Sequence, residues 1–207
     1  MLSRRPLEGN TKNFFALDPT RRVTHVRLNI YPDGGVARLR VYGVPAAAEG
    51  RVRRGSEIDL AAAENGGHVV DVSNQHYGNP QQMLYPGASR GMFDGWETKR
   101  RRGPGYDWAV IRLGAIGRVA KAVVDTSHFK GNAPGECSIE ACDVLEAVPG
   151  PDTEWRELLP RTPIRPNEVH QFTWDIALAP PSTHLRLNIY PDGGVARFRA
   201  FGVVAGG

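Results

Sequence analysis

The stretch Thr24–Val44, THVRLNIYPDGGVARLRVYGV, returns almost letter for letter at Thr183–Val203 as THLRLNIYPDGGVARFRAFGV, at a constant offset of 159 residues. A repeat of this length means that one structural unit has been copied, so any fold proposed for one copy must also suit the other. A looser echo precedes each copy: Arg4, Pro6, Asn10 and Phe15 align with Arg161, Pro163, Asn167 and Phe172 at an offset of 157. The copied unit therefore begins upstream of the repeat. Residues 1–44 read as the C-terminal remnant of one unit, and residues 45–207 as a complete second unit.

Within the repeat, Val26, Leu28 and Ile30 alternate with Arg27, Asn29 and Tyr31, and Ala37, Leu39 and Val41 alternate with Arg38, Arg40 and Tyr42. That is the period-2 pattern of half-buried strands. Pro32 presets a negative φ, while Gly34 and Gly35 tolerate a positive one, so Pro-Asp-Gly-Gly reads as a tight turn joining two strands. The second copy keeps the design, with Leu185, Leu187 and Ile189 facing Ala196, Phe198 and Ala200. Arg38 and Arg197 fall on the polar side and are expected to face water.

The rest of the chain keeps the same rhythm. After an Ala-rich and charged connector at Pro45–Gly55 and a segment, Glu57–Ala63, that reads as helical, short β runs follow, separated by Gly, Pro and Asn. They are HVVDV, WAVIRL, VAKAVV, SIEAC, WRELL and QFTW. Many short strands with turn signals between them predict an all-β jelly-roll β-sandwich with little helix. A hydrophobic content of 41% with 23% charge suits a globular chain, and a net charge of +4 favours small anions over nucleic acid as partners. No apolar run reaches signal-peptide or membrane-span length, so neither a membrane nor a nucleic-acid partner is expected, and the protein is read as cytoplasmic. Cys137 and Cys142 lack C-x-x-C spacing and read as free thiols.

Two long loops hold the chemically expensive residues. They are Ser73–Gly105 and Thr126–Gly135. Loops of this length in a compact domain are usually functional or disordered, and their aromatic residues argue against disorder. In the first loop, Asp94-Gly-Trp96-Glu97-Thr-Lys99-Arg100-Arg101-Arg102 sets two carboxylates and an indole beside four cations. The cationic run alone is compatible with a solvated face, an anion site or a nucleic-acid patch. Carboxylates able to pair with some of the arginines favour the anion site, because a held guanidinium grips a planar anion bidentately. His76 and Tyr77 lie beside Asn74 and Asn79, and the second loop offers His128, Lys130 and Asn132. Trp96 reads as a ligand platform or as a core anchor, and His76 as a base or as a surface histidine. His76, His128, Asp94 and Glu97 could in principle hold a divalent ion, but strong metal-ligand spacing is missing and no metal is expected. There is no P-loop, Rossmann fingerprint or G-x-S-x-G elbow, so no cofactor is expected either.

RLNIYPDGGVARLR in two copies, SNQHYGNPQQML, MFDGWETKRRRGPGYDW and VDTSHFKGNAPG together resemble the allantoicase family over nearly the whole chain. The resemblance implies galactose-binding-like jelly rolls and hydrolysis of allantoate to ureidoglycolate and urea in purine degradation. It also implies two complete units per chain, whereas only the end of the first is seen here. Allantoate is a carboxylate whose central carbon bears two ureido groups. Its hydrolysis needs a cation, amide or hydroxyl partners, and an acid and a base. The expected acid–base residues are His76, Asp94, Glu97 and His128. The expected substrate-binding residues are Tyr77, Asn79, Trp96, Arg100, Arg101, Arg102, Lys130 and Asn132. A homo-oligomer is expected. The competing expectations are a non-catalytic β-sandwich ligand-binding module and an inactive copy.

Overall fold

A single strand of 19 residues, Asp107–Asp125, runs through both layers of the larger unit and sets the positions of the others. The computed structural model describes residues 2–18, 22–23, 25–43, 50, 52–174 and 178–205. The chain divides into Met1–Gly43 and Val44–Gly207. Among the described residues the strands, all in the second unit, are β1 (Glu57–Asp59), β2 (His68–Val72), β3 (Trp96–Glu97), β4 (Asp107–Asp125), β5 (Glu136–Cys142), β6 (Arg156–Pro163), β7 (Val169–Thr173), β8 (Pro181–Tyr190), β9 (Gly194–Val195) and β10 (Arg197–Val204). Every pairing is antiparallel.

The first half of β4 pairs with β2 on one side and β8 on the other, and β8 continues to β5 and β6. The second half pairs with β10 and β7, and β10 with β1. Register breaks between Arg112 and Gly117, where the strand bends from one layer into the next. Gly114, within this break, lets the Asn65 backbone pack directly on the strand, since a Cβ there would stand 2.0 Å from the Asn65 carbonyl oxygen. The fold is an all-β jelly-roll sandwich with Leu60, Ile111, Val124, Ile139, Leu187 and Phe198 in its core. Helix among the described residues is limited to three short 3-10 turns.

The sequence pattern is corrected at several points. WAVIRL and VAKAVV, read as two strands, belong to the single strand β4. Glu57–Ala63, read as helical, begins with strand β1 and leads into a 3-10 turn at Ala63–Asn65. Much of the expected connector, at 45–49 and 51, lies outside the described residues. The second copy of the repeat is not a hairpin either: β8 and β10 are strands, but they pair with β4, β5 and β1 instead of each other. The turn between them opens into β9, which pairs with β3.

In the first copy the described residues form no strand. A strand requires a hydrogen-bonded neighbour, and the two arms of this motif are not each other's neighbours even where the fold is complete. Local geometry is nevertheless copied. Asn10 and Asn167 share a φ of 55°, and Gly34 and Gly193 share a φ of 138°. Arg4 stacks on Tyr31 as Arg161 stacks on Tyr190. Burial differs sharply, since Leu187 is 0% exposed and its counterpart Leu28 is 46% exposed.

This contrast predicts different costs for the same substitution. Leu187→Ala should lower the unfolding free energy by about 2–5 kcal/mol, through lost transfer energy and a cavity. Leu28→Ala should stay within about 0.5 kcal/mol. Urea unfolding of the two variants measures both.

Candidate active site

The first loop is held from beneath by two arginines of β10. Arg197, expected on a solvated face, is buried instead. Its guanidinium donates to the Gly87 carbonyl at 3.0 Å, the Ala88 carbonyl at 3.3 Å, the Asp94 carbonyl, and the Asp94 carboxylate at 2.9 Å. Arg199 donates to the carbonyls of Met83, Tyr85 and Gly87 and stands 3.5 Å from the Asp59 carboxylate. A guanidinium offers five donors in a rigid fork, so two of them can satisfy a run of loop carbonyls that no ladder reaches. Met83, Leu84 and Trp96 anchor the same loop in the core.

The second loop meets the first through Asn132 and His128. Asn132 donates its amide to the Glu97 carboxylate at 2.6 Å, and His128 places Nε2 3.0 Å from the Ser89 carbonyl. A carbonyl only accepts, so Nε2 carries the proton and Nδ1 is left for chemistry. His128 has a φ of 73°, a left-handed conformation, and its backbone N–H is held by Asn167. Phe129, fully buried, and Thr126, bonded to the carbonyls of Arg165 and Glu168, fix this loop to the sandwich.

Most of the expected site residues come together here, but their roles separate. Glu97, half-buried on β3, keeps one carboxylate oxygen clear of Asn132. Arg100, Arg102 and Lys130 are exposed, and no side-chain hydrogen bond or ion pair engages them among the described residues. Arg101 is different, because its guanidinium donates to the buried Asp107 at 2.6 Å and to the Tyr106 carbonyl. His76 and Tyr77 are exposed at the rim, edge to face at 4.5 Å. Asn79 caps the 3-10 turn Pro80–Leu84 by accepting from the Gln81 N–H, which leaves its own amide protons available. Trp96 is fully buried with its indole N–H on the Asn74 carbonyl, so it packs the floor and offers no open face. Asp94 is buried against Arg197, and Arg90 is 3.5 Å away. Among the described residues, no three His, Cys, Asp or Glu side chains converge as a metal site would require. A groove of about 160 Å³ lined by Cys142, Asp143, Glu154 and Arg156 includes none of these residues. The candidate site is therefore an open loop surface. Asp107, a carboxylate expected to pair with one of the arginines, does so with Arg101, whereas Ser89 and Asp192 escaped the sequence reading because each acts through a fold contact that spacing does not reveal.

Burial works against ionising Asp94, but the Arg197 guanidinium, the Arg90 amide and the charges of both arginines outweigh it and lower its pKa from 3.8. A carboxylate with a lowered folded-state pKa stabilises the protein above its unfolded value, and that stability is lost as pH falls through the folded one. Asp94→Ala should therefore cost about 3–5 kcal/mol near neutrality, because a buried guanidinium loses its counter-charge. The variant's urea midpoint should also fall less steeply than the parent's as pH is lowered below about 4. Urea titrations at several pH values measure both.

A family model described as "Allantoicase repeat" matches residues 1–46 and 58–205. A protein of Pseudomonas paraeruginosa named "Probable allantoicase" is 49% identical over 200 residues, covering 95% of this chain, which thus spans only 60% of that protein's length. The crystal structure of an allantoicase from Saccharomyces cerevisiae superposes with a TM-score of 0.64 at 39% identity, over 74% of this chain and 45% of that one. A family 32 CBM from C. perfringens in complex with galactose gives a TM-score of 0.52 at 12% identity, over 70% of this chain and 99% of that one, a likeness of fold alone. By its repeat, its loops and its sandwich, the chain belongs to the allantoicase family.

Proposed function

We propose that Val44–Gly207 carries a hydrolytic site for allantoate, releasing urea and leaving ureidoglycolate. The observation that supports this most is the Asn132–Glu97 bond at 2.6 Å, which joins two loops bearing an acid, a base and unengaged cations. Arg100 and Arg102 take the substrate carboxylate in a bidentate grip. Tyr77, Asn79 and the free oxygen of the Asn132 amide hold the ureido groups, while Lys130 and His76 complete the rim. Glu97, oriented by Asn132, accepts a proton from water as its oxygen bonds to the central carbon. His128 in its protonated form gives its Nδ1 proton to the ureido nitrogen as the C–N bond breaks, with Ser89 holding the other ring nitrogen. Urea leaves neutral and the carbon keeps the hydroxyl.

In the same reading, Met1–Gly43 is the closing part of a preceding allantoicase repeat. The matched φ values at Asn10 and Asn167 and at Gly34 and Gly193 support it. The protein is a cytoplasmic homo-oligomer in this reading, and the partly exposed Val26, Leu28, Ile30 and Leu39 are candidates for burial on association. No helix among the described residues is long and apolar enough to cross a membrane.

Urea release from allantoate tests the activity. Glu97→Gln should lower turnover by about 10²–10⁴ with little change in melting temperature. Arg100→Lys or Arg102→Lys should raise KM, since the charge remains but the fork is lost. Near-normal turnover in Glu97→Gln would remove it from the mechanism. A ligand-induced thermal shift without any urea would instead favour a binding module.

A further inference from the structure

The repeated Pro-Asp-Gly-Gly turn contacts both loops of the candidate site. Asp192 accepts the Arg101 backbone N–H at 2.8 Å. Gly193 and Thr98 exchange three hydrogen bonds: the Thr98 N–H to the Gly193 carbonyl at 3.1 Å, the Gly193 N–H to the Thr98 hydroxyl at 3.0 Å, and the Thr98 hydroxyl to the Gly193 carbonyl at 3.4 Å. The Gly194 N–H reaches across to the Asn132 carbonyl at 2.8 Å. The fit leaves no room for a side chain. A Cβ on Gly193, whose φ is +138°, would stand 2.6 Å from the Pro134 nitrogen and 2.7 Å from the Asn132 carbonyl oxygen.

Arg101 is thus held at its backbone by Asp192 and at its head by Asp107, which also accepts from the Ser73 hydroxyl at 2.9 Å. The cations on either side of it, Arg100 and Arg102, are the exposed ones. We infer that Asp192 is a positioning residue: through the Arg101 N–H it sets where Arg100 and Arg102 stand to receive a carboxylate substrate. This rests on the allantoate reading for the identity of the anion, but the mechanical part does not. Thr98 and Lys99 are tied to Gly193 and Asn74 ahead of the cations, and the Asp192 bond is the backbone tie between Arg100 and Arg102 themselves, so it restricts the backbone that carries both guanidiniums and less conformational entropy is lost when the anion binds. Without the tie, the charge persists and the geometry does not.

Asp192→Ala and Asp192→Ser remove or shorten the acceptor, whereas Asp192→Asn keeps an acceptor oxygen at the same reach. The first readout is limited trypsin cleavage within Lys99–Arg102, which needs no turnover. The second is KM against kcat for allantoate, with melting temperature recorded for every variant. The expected result is cleavage about 10-fold faster and KM about 10-fold higher in the Ala and Ser variants, the scale of one lost charge-assisted hydrogen bond. The value of kcat should be little changed, and Asp192→Asn should return both quantities towards the parent. Unchanged cleavage in Asp192→Ala and Asp192→Ser overturns the inference. So does an Asp192→Asn variant as impaired as Asp192→Ala, because the carboxylate would then be acting by charge and not by position. If the parent chain releases no urea, the allantoate reading fails, and the cleavage comparison still judges the tie.

Discussion

The candidate site depends on a loop that does not fold by its own ladder, and two arginines of one strand supply what the ladder would have. Arg197 and Arg199 reach the carbonyls of Met83, Tyr85, Gly87, Ala88 and Asp94 from below. Buried carbonyls without donors are costly, and a long loop has many of them. The Asp94 carboxylate balances the charge of Arg197, so a residue type that suggests acid–base chemistry works here as a counter-ion. Glu97, by contrast, is the carboxylate that bonds to the second loop.

The two copies of the repeat separate what a segment encodes from what its surroundings impose. Backbone angles at Asn10 and Asn167 agree, as do those at Gly34 and Gly193, because left-handed and turn conformations are chosen by the residues themselves. Strand structure and burial do not agree, because both depend on neighbours. Leu185, Leu187 and Ile189 lie in a core roofed by other strands, while Val26, Leu28 and Ile30 remain substantially exposed. The ladders of β8 and β10 come from strands distant in sequence, so the motif cannot form its sheet within its own length.

Much of this was legible from pattern. Alternation correctly placed the apolar faces of β8 and β10, and the runs HVVDV and SIEAC fall within β2 and β5. The two loops rich in chemistry do meet, as the Asn132–Glu97 bond demonstrates. What could not be read were partners. Two strands joined by a turn look like a hairpin by local rules, and only the long strand β4, shared between layers, separates them. Arg197 alternates onto the polar side and so seemed exposed, but a polar side can be covered by a folded loop. Trp96 reads as a ligand platform or as a core anchor, and its burial with the indole N–H on the Asn74 carbonyl makes it the anchor. Charge and periodicity report which groups a residue prefers, not which other segment arrives to meet it.

One feature of the sandwich bears on how it is made. Strand β1, near the start of the larger unit, pairs with β10 at its far end, and β4 gains its partners in the second layer from β7 and β10. Contacts this distant along the chain form slowly, since loop closure must precede any return from burial. During synthesis, β4 therefore emerges with β2 already made to pair with its first half but with both edges of its second half open, and it waits for residues 169–204 before that half can be flanked. A nascent chain in that state is a natural client for chaperones that shield extended apolar segments. Pausing of the ribosome upstream of β10 would lengthen the exposure, so translation speed over the last strands bears on the yield of folded protein.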